Sequence, residues 1–194
     1  MRTKIIAIIS FLFISAHAKA MIFIEPSFAY TVSSKYEFTH DSSAISWDIS
    51  GYSGTLKLGW STAGVSIGAL AKRGKSKFTR NNEDPPNTHY NWLTQYGAFI
   101  GYSLPIMLSF DVSYLLPPTQ HSESTYNNLS SSHLAFGVSY SVVPFVRLQV
   151  NYAMSISPQM MDNGIGNDLP YDTFTEHSSN AITVGLGVPI PLGF

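Results

Sequence analysis

Residues 51–72 read GYSGTLKLGWSTAGVSIGALAK, and the alternation inside them decides the fold. Tyr52, Gly54, Leu56, Leu58 and Trp60 share one face of an extended chain, and Ser53, Thr55, Lys57 and Gly59 the other. After a tight Ser61-Thr62-Ala63-Gly64 turn the pattern restarts, with Val65, Ile67, Ala69 and Ala71 against Ser66, Gly68, Leu70 and Lys72. Successive side chains of a strand point to opposite sides, so period two on both flanks of a tight turn predicts an antiparallel hairpin. One face of that hairpin is almost wholly apolar, while the other is mostly small or polar.

The same pattern recurs six more times. A first segment sets Ile22, Ile24, Phe28, Tyr30 and Val32 against Phe23, Glu25, Ser27, Ala29 and Thr31. A fourth runs from Trp92 to Tyr102, and a fifth from Ile106 to Tyr114 after a Ser103-Leu104-Pro105 turn. A sixth covers Leu134 to Val142, a seventh Val146 to Met154 after Val143-Pro144, and an eighth Ile182 to Val188. Connections after the even segments are two to four residues long. Those after the odd segments are long and polar, approximately Ser33 to Ser50, Gly74 to His89, Pro117 to Ser131 and Ser157 to Asn180. Eight antiparallel strands with short turns at one end and long loops at the other predict an up-and-down β-barrel.

Composition narrows what such a barrel can be. The 194 residues hold 11 Lys+Arg, 12 Asp+Glu and no cysteine, and only 12% are charged against 44% hydrophobic. The near-neutral total gives no basic field for nucleic acid, and the missing cysteines exclude disulfides, thiolate catalysis and a lipid-modified N-terminal cysteine. No apolar run after the N-terminus reaches the roughly 18 residues of a spanning helix. At the start, Arg2 and Lys4 precede the apolar stretch Ile5 to Ile14 and the small-x-small Ala18-Lys19-Ala20. That is the plan of a secretory signal peptide over residues 1–20, which leaves residues 21–194 as the barrel domain.

A soluble barrel and a membrane barrel differ in which face points inward. Eight strands enclose a lumen just wide enough for side chains, so two bulky faces do not fit. The Gly, Ser, Thr and Ala face must line the lumen and the apolar face must look out, the polarity of a lipid-facing barrel. Aromatics agree with this: Trp60, Tyr102 and Tyr140 lie near the turn end, and Tyr30, Tyr52, Trp92, Tyr114 and Tyr152 near the loop end. Such rings belong at the two membrane interfaces, although Tyr96 falls between the belts.

Over the mature chain the arrangement resembles the OmpA-type family of small, eight-stranded outer-membrane barrels. The resemblance is architectural, resting on strand periodicity, loop alternation and the terminal Phe194. It implies location in the outer membrane of a Gram-negative cell, and contact with the barrel-insertion machinery through Ile190, Leu192 and Phe194. Pro189 and Pro191 depart from the family's terminal strand, since each lacks a ladder N–H, and predict that the ordered strand stops near Val188.

The charges sort into three groups. Ten acids (Glu37, Asp41, Asp48, Glu83, Asp84, Glu123, Asp162, Asp168, Asp172 and Glu176) fall in or beside the proposed outer loops. Glu25, Lys57, Asp111 and Arg147 face inward near the turn end and predict an internal ion-pair layer, with Gln95, Gln149 and Asn151 to satisfy leftover groups. Below it, Phe23, Met107 and Phe145 are candidates to plug the lumen, while inward Leu70, Leu93 and Phe99 leave room for a narrow path taking a small hydrophobic solute. Lys72, Arg73, Lys75, Lys77 and Arg80 crowd the outer end of one strand. They read equally as a clamp for lipopolysaccharide phosphates or as a solvated loop balancing nearby acids.

Catalytic constellations are weak. Asp84 with His89, His121 with Ser122 or Ser124, and Glu176 with His177 have no recognised spacing, so the expectation is no enzyme and no cofactor. Asp162 to Asp168 offers oxygen ligands for calcium but lacks the loop register and bidentate Glu of an EF-hand, and it reads as a turn. The expectation is therefore a monomeric outer-membrane barrel with a structural or surface-interaction role through four outer loops, a side-chain-filled lumen, and lipid and lipopolysaccharide as partners. The alternative is a narrow channel for ions or small hydrophobic solutes.

Overall fold

The computed structural model describes residues 20–40, 43–80, 87–122, 130–159 and 174–192. They form ten strands: β1 (Met21–His40), β2 (Ser43–Thr62), β3 (Val65–Arg80), β4 (Asn87–Ser103), β5 (Leu108–Leu115), β6 (Thr119–Ser122), β7 (Ser130–Val143), β8 (Val146–Gln159), β9 (Phe174–Gly187) and β10 (Ile190–Leu192). Each pairs antiparallel with its neighbour, and β1 pairs with β9 and β10 to close the sheet. Closure leaves eight barrel strands, because two are interrupted. β5 and β6 both pair with β4, and a one-residue shift between them places Pro117 and Pro118 together opposite Gln95.

β9 and β10 keep one register against β1 across the gap at Val188 and Pro189. Val188 N–H donates to Pro26 O at 2.9 Å, so by alternation Ile190 and Leu192 also turn their N–H groups toward β1. Pro189 and Pro191 turn their missing donors toward β8, whose pairing ends at Arg147 with Gly187. The strand therefore does not stop at Val188 as the prolines suggested; it resumes where no partner needs the absent N–H. Phe194 and residues 1–19, which the sequence reading assigns to an export signal over 1–20, lie outside the described residues.

The facing follows the period-two reading in the eight strands, except at Met107, which precedes β5 in a turn. Phe28, Leu58, Ile67, Ile100, Val138, Val150 and Leu186 are exposed on the outside, while Phe23, Leu70, Phe99 and Leu115 form the buried cluster of the lumen. Glycine, serine and alanine at many of the other inward positions give these four bulky residues their space.

Among the described residues, much of what the sequence assigns to the first two long connections is strand. Residues 33–40 with 43–50, and 74–80 with 87–89, continue as paired strand. A bulge past Thr31 hides this in the sequence, since one extra residue flips the alternation and Ser34 rather than Ser33 becomes the buried one. At an axial rise of roughly 2.5 Å per tilted residue, about ten residues cross the ~25 Å apolar band. β1 and β2, 20 residues each, therefore carry the wall well beyond the bilayer.

Candidate functional site

The lumen near the turn end is closed by two ion pairs and a ring pair. Arg147 Nη1 donates to Glu25 Oε2 at 3.0 Å, and Gln149 Nε2 to Glu25 Oε1 at 2.6 Å, so both oxygens of a carboxylate only 3% exposed are satisfied. Lys57 lies opposite Glu25 in register but reaches across the lumen from β2 to β5, donating to Asp111 Oδ1 at 3.1 Å. Ser113 Oγ donates to the same oxygen at 3.2 Å, and the Lys57 ammonium sits 5.3 Å from the Phe99 ring centre. Phe99 in turn meets Phe23 edge-on, with centroids 6.1 Å apart. Glu25 with Arg147 and Lys57 with Asp111 thus form two ion pairs on the inner face, and the space beside them is about 20 Å³, room for roughly one water.

Two glycines make that density possible. A Cβ on Gly187 would meet the Gln149 amide and come within 2.9 Å of Glu25 Oε1. One on Gly137 would meet the Asp111 carboxylate and come within 2.6 Å of Asn151 Oδ1. Each glycine lies under one of the ion pairs.

The expected plug needs correction. Phe23 is buried, but Met107 and Phe145 are 53% and 61% exposed, in the turns that precede β5 and β8. Met107 has φ 64°, so it terminates a turn rather than continuing the strand alternation that placed it inside. The inward-facing Phe99 takes that role with Phe23.

Above the layer the lumen is not filled by side chains. A cavity of about 120 Å³ lies between Thr31, Lys72, Leu93, Leu115, His133 and Thr183. His133 crosses it: Gln95 Nε2 lies 3.3 Å from His133 Nδ1, which leaves Nε2–H to face Ser179 Oγ, also at 3.3 Å.

The five clustered cations separate. Arg73, Lys75 and Lys77 stand on the outer face, whereas Lys72 lines the cavity, a correction that its inward parity already contained. The side chain of Arg80 lies outside the described residues. Arg73 packs over the Trp92 ring at 5.4 Å, Lys75 over Tyr90 at 5.0 Å and Trp92 at 5.9 Å, and Tyr52 meets Trp92 edge-on at 6.4 Å. Lys75 is ten residues from the start of β3, or roughly 25 Å up the wall, the level of an outer interface. Of the catalytic candidates and the Asp162 to Asp168 stretch, none has both its members' side chains among the described residues, and those residues contain no group of metal-binding side chains.

A closed sheet that shows apolar side chains outward, aromatics at two levels and, among the described residues, charge only in its lumen and outer wall defines a small outer-membrane β-barrel protein, lodged in membrane lipid. The chain matches no protein-family model and no curated protein sequence. Its fold is similar to that of neisserial surface protein A, at 14% identity and TM-score 0.47 over 87% of this chain and 97% of that one. It is also similar to Ail, the attachment invasion locus protein of Yersinia pestis, at 8% and 0.49 over 88% and 99%. The outer membrane protein OprG of Pseudomonas aeruginosa aligns at 11% and 0.47 over 91% and 98%.

Proposed function

We propose that this barrel acts at the cell surface, as a structural or surface-interaction element without catalytic activity, rather than as an open conduit. The observation that supports this most is the sealed layer of Glu25, Arg147, Lys57 and Asp111 over the Phe23–Phe99 pair, below walls that project past the bilayer. An open channel would need a path through that layer, where the free space holds about one water. Purified barrel in a planar bilayer is expected to show no steady conductance, and the double variant Phe23→Ala/Phe99→Ala to flicker open. Large ohmic currents from the unmodified chain would replace this reading with the channel.

The outer triad gives the surface role one partner. Arg73, Lys75 and Lys77 on alternate positions, the first two held against Trp92 and Tyr90, suit the phosphates of lipopolysaccharide in the outer leaflet, where each cation near an anionic surface contributes about 1 kcal/mol. Lys75→Glu/Lys77→Glu is expected to lower lipopolysaccharide retained through purification about tenfold or more, measured per folded barrel, since four units of charge are changed. Unchanged retention would leave the triad as a solvated face.

A further inference from the structure

The cavity above the sealed layer is built unlike the layer itself. Below, every charge has a partner; above, Lys72 has no carboxylate partner among the described residues, although it lines the lumen rather than the outer surface. A half-buried ammonium in a confined space with no counter-charge among the described residues is costly, and the cost falls when an anion joins it. On the inner face of β4, Asn91 is 1% exposed with both side-chain polar atoms lacking partners, so hydrogen-bonding capacity in the upper lumen is also unused.

The remaining walls are not those of a site for a bare inorganic ion. Phe78, Leu93 and Leu115 line the same space, facing Lys72 and the chain of groups from Gln95 through His133 to Ser179. Lys72 lies directly opposite Gln95 in the β3–β4 register, so cation and amide sit at one level of the barrel. An apolar cavity of about 150 Å³ accepts a benzene-sized guest. About 120 Å³ therefore suits a molecule of roughly six non-hydrogen atoms with one charged end.

We propose that the upper lumen is a binding pocket for a small aliphatic monocarboxylate, its carboxylate paired with Lys72 and its short apolar tail against Phe78, Leu93 and Leu115. The ion-pair layer forms the floor of the pocket. Such a pocket is blind at the turn end, so it captures a solute without passing it, and it stands apart from the lipopolysaccharide face on the other side of the wall.

The test is calorimetric titration of the refolded full barrel in micelles, with empty micelles as the blank and butyrate, butyramide and inorganic phosphate as probes. Butyrate is expected to bind saturably at one site per barrel, butyramide not to bind, and phosphate to bind at least about tenfold more weakly than butyrate. Lys72→Met is expected to weaken butyrate about tenfold or more, while Lys72→Arg keeps it, because the charge and not the chain length is used. Removing a cation that has no ion-pair partner among the described residues should leave the barrel folded, which heat-modifiable gel migration checks for each variant. The proposal is overturned by butyrate binding that Lys72→Met leaves unchanged, by heats no different from empty micelles, or by phosphate binding as tightly as butyrate.

Discussion

Glu25→Leu is expected to destabilise the barrel by about 3 kcal/mol, the lower end of the range for breaking a buried ion pair. Both Glu25 oxygens are in use, so the substitution strands the Arg147 guanidinium and the Gln149 amide at once. Arg147 already has a buried Nε without a partner, leaving it poorly placed to find a new one. Its side chain retains 25% exposure, and residual hydration there holds the loss toward the low end. Removing both charges is different: Glu25→Leu/Arg147→Met discards the desolvation penalty with the pair and is expected to recover most of the stability. Guanidinium unfolding from lipid vesicles reads both values. If the single and double variants are equally destabilised, the pair is hydrated rather than sealed, and the argument for a closed lumen loses its main support.

That layer also shows how far one-dimensional pattern reaches. Glu25, Lys57, Asp111 and Arg147 lie on the face that period two gives them, because a strand has only two faces and the lumen excludes large ones. It did not say who pairs with whom. Lys57 is the in-register neighbour of Glu25, yet its ammonium goes across the lumen to Asp111. Sequence spacing measures distance along and between adjacent strands, whereas this contact spans the closed barrel, and closure curvature is not written in any single segment.

The errors share a cause. Alternation marks a strand only while its two faces meet different solvents. Once β1 and β2 leave the bilayer both faces meet water, the pattern fades, and the bulge past Thr31 shifts what remains by one position. Residues 33–40 and 43–50 are therefore strand where their polarity predicts loop. Met107 and Phe145 failed for the opposite reason, because alternation was carried into turns where the backbone no longer follows it. Lys72 was drawn outward by its cationic neighbours although its parity put it with Leu70 in the lumen, and in this chain parity was the better guide.

Leu56→Arg separates a lipid-facing wall from a water-facing one more sharply than any contact inside the barrel. Leu56 is 45% exposed on the outer face of β2, six residues from Thr62, or roughly 15 Å up a band about 25 Å tall. In lipid near the midplane an arginine there costs about 2–4 kcal/mol. In water the same position would be an ordinary exposed one, and the change would fall within about 0.5 kcal/mol. Val32→Arg is the internal control, since Val32 is 62% exposed but lies at the upper edge of the band, where an arginine costs about 0–1 kcal/mol. A large loss at Leu56 with a small one at Val32, measured as folding free energy into vesicles, is the depth dependence that only a membrane-facing surface produces. Equal, small losses at both would mean that the apolar face meets water, and the inverted polarity on which the membrane assignment rests would then need another explanation.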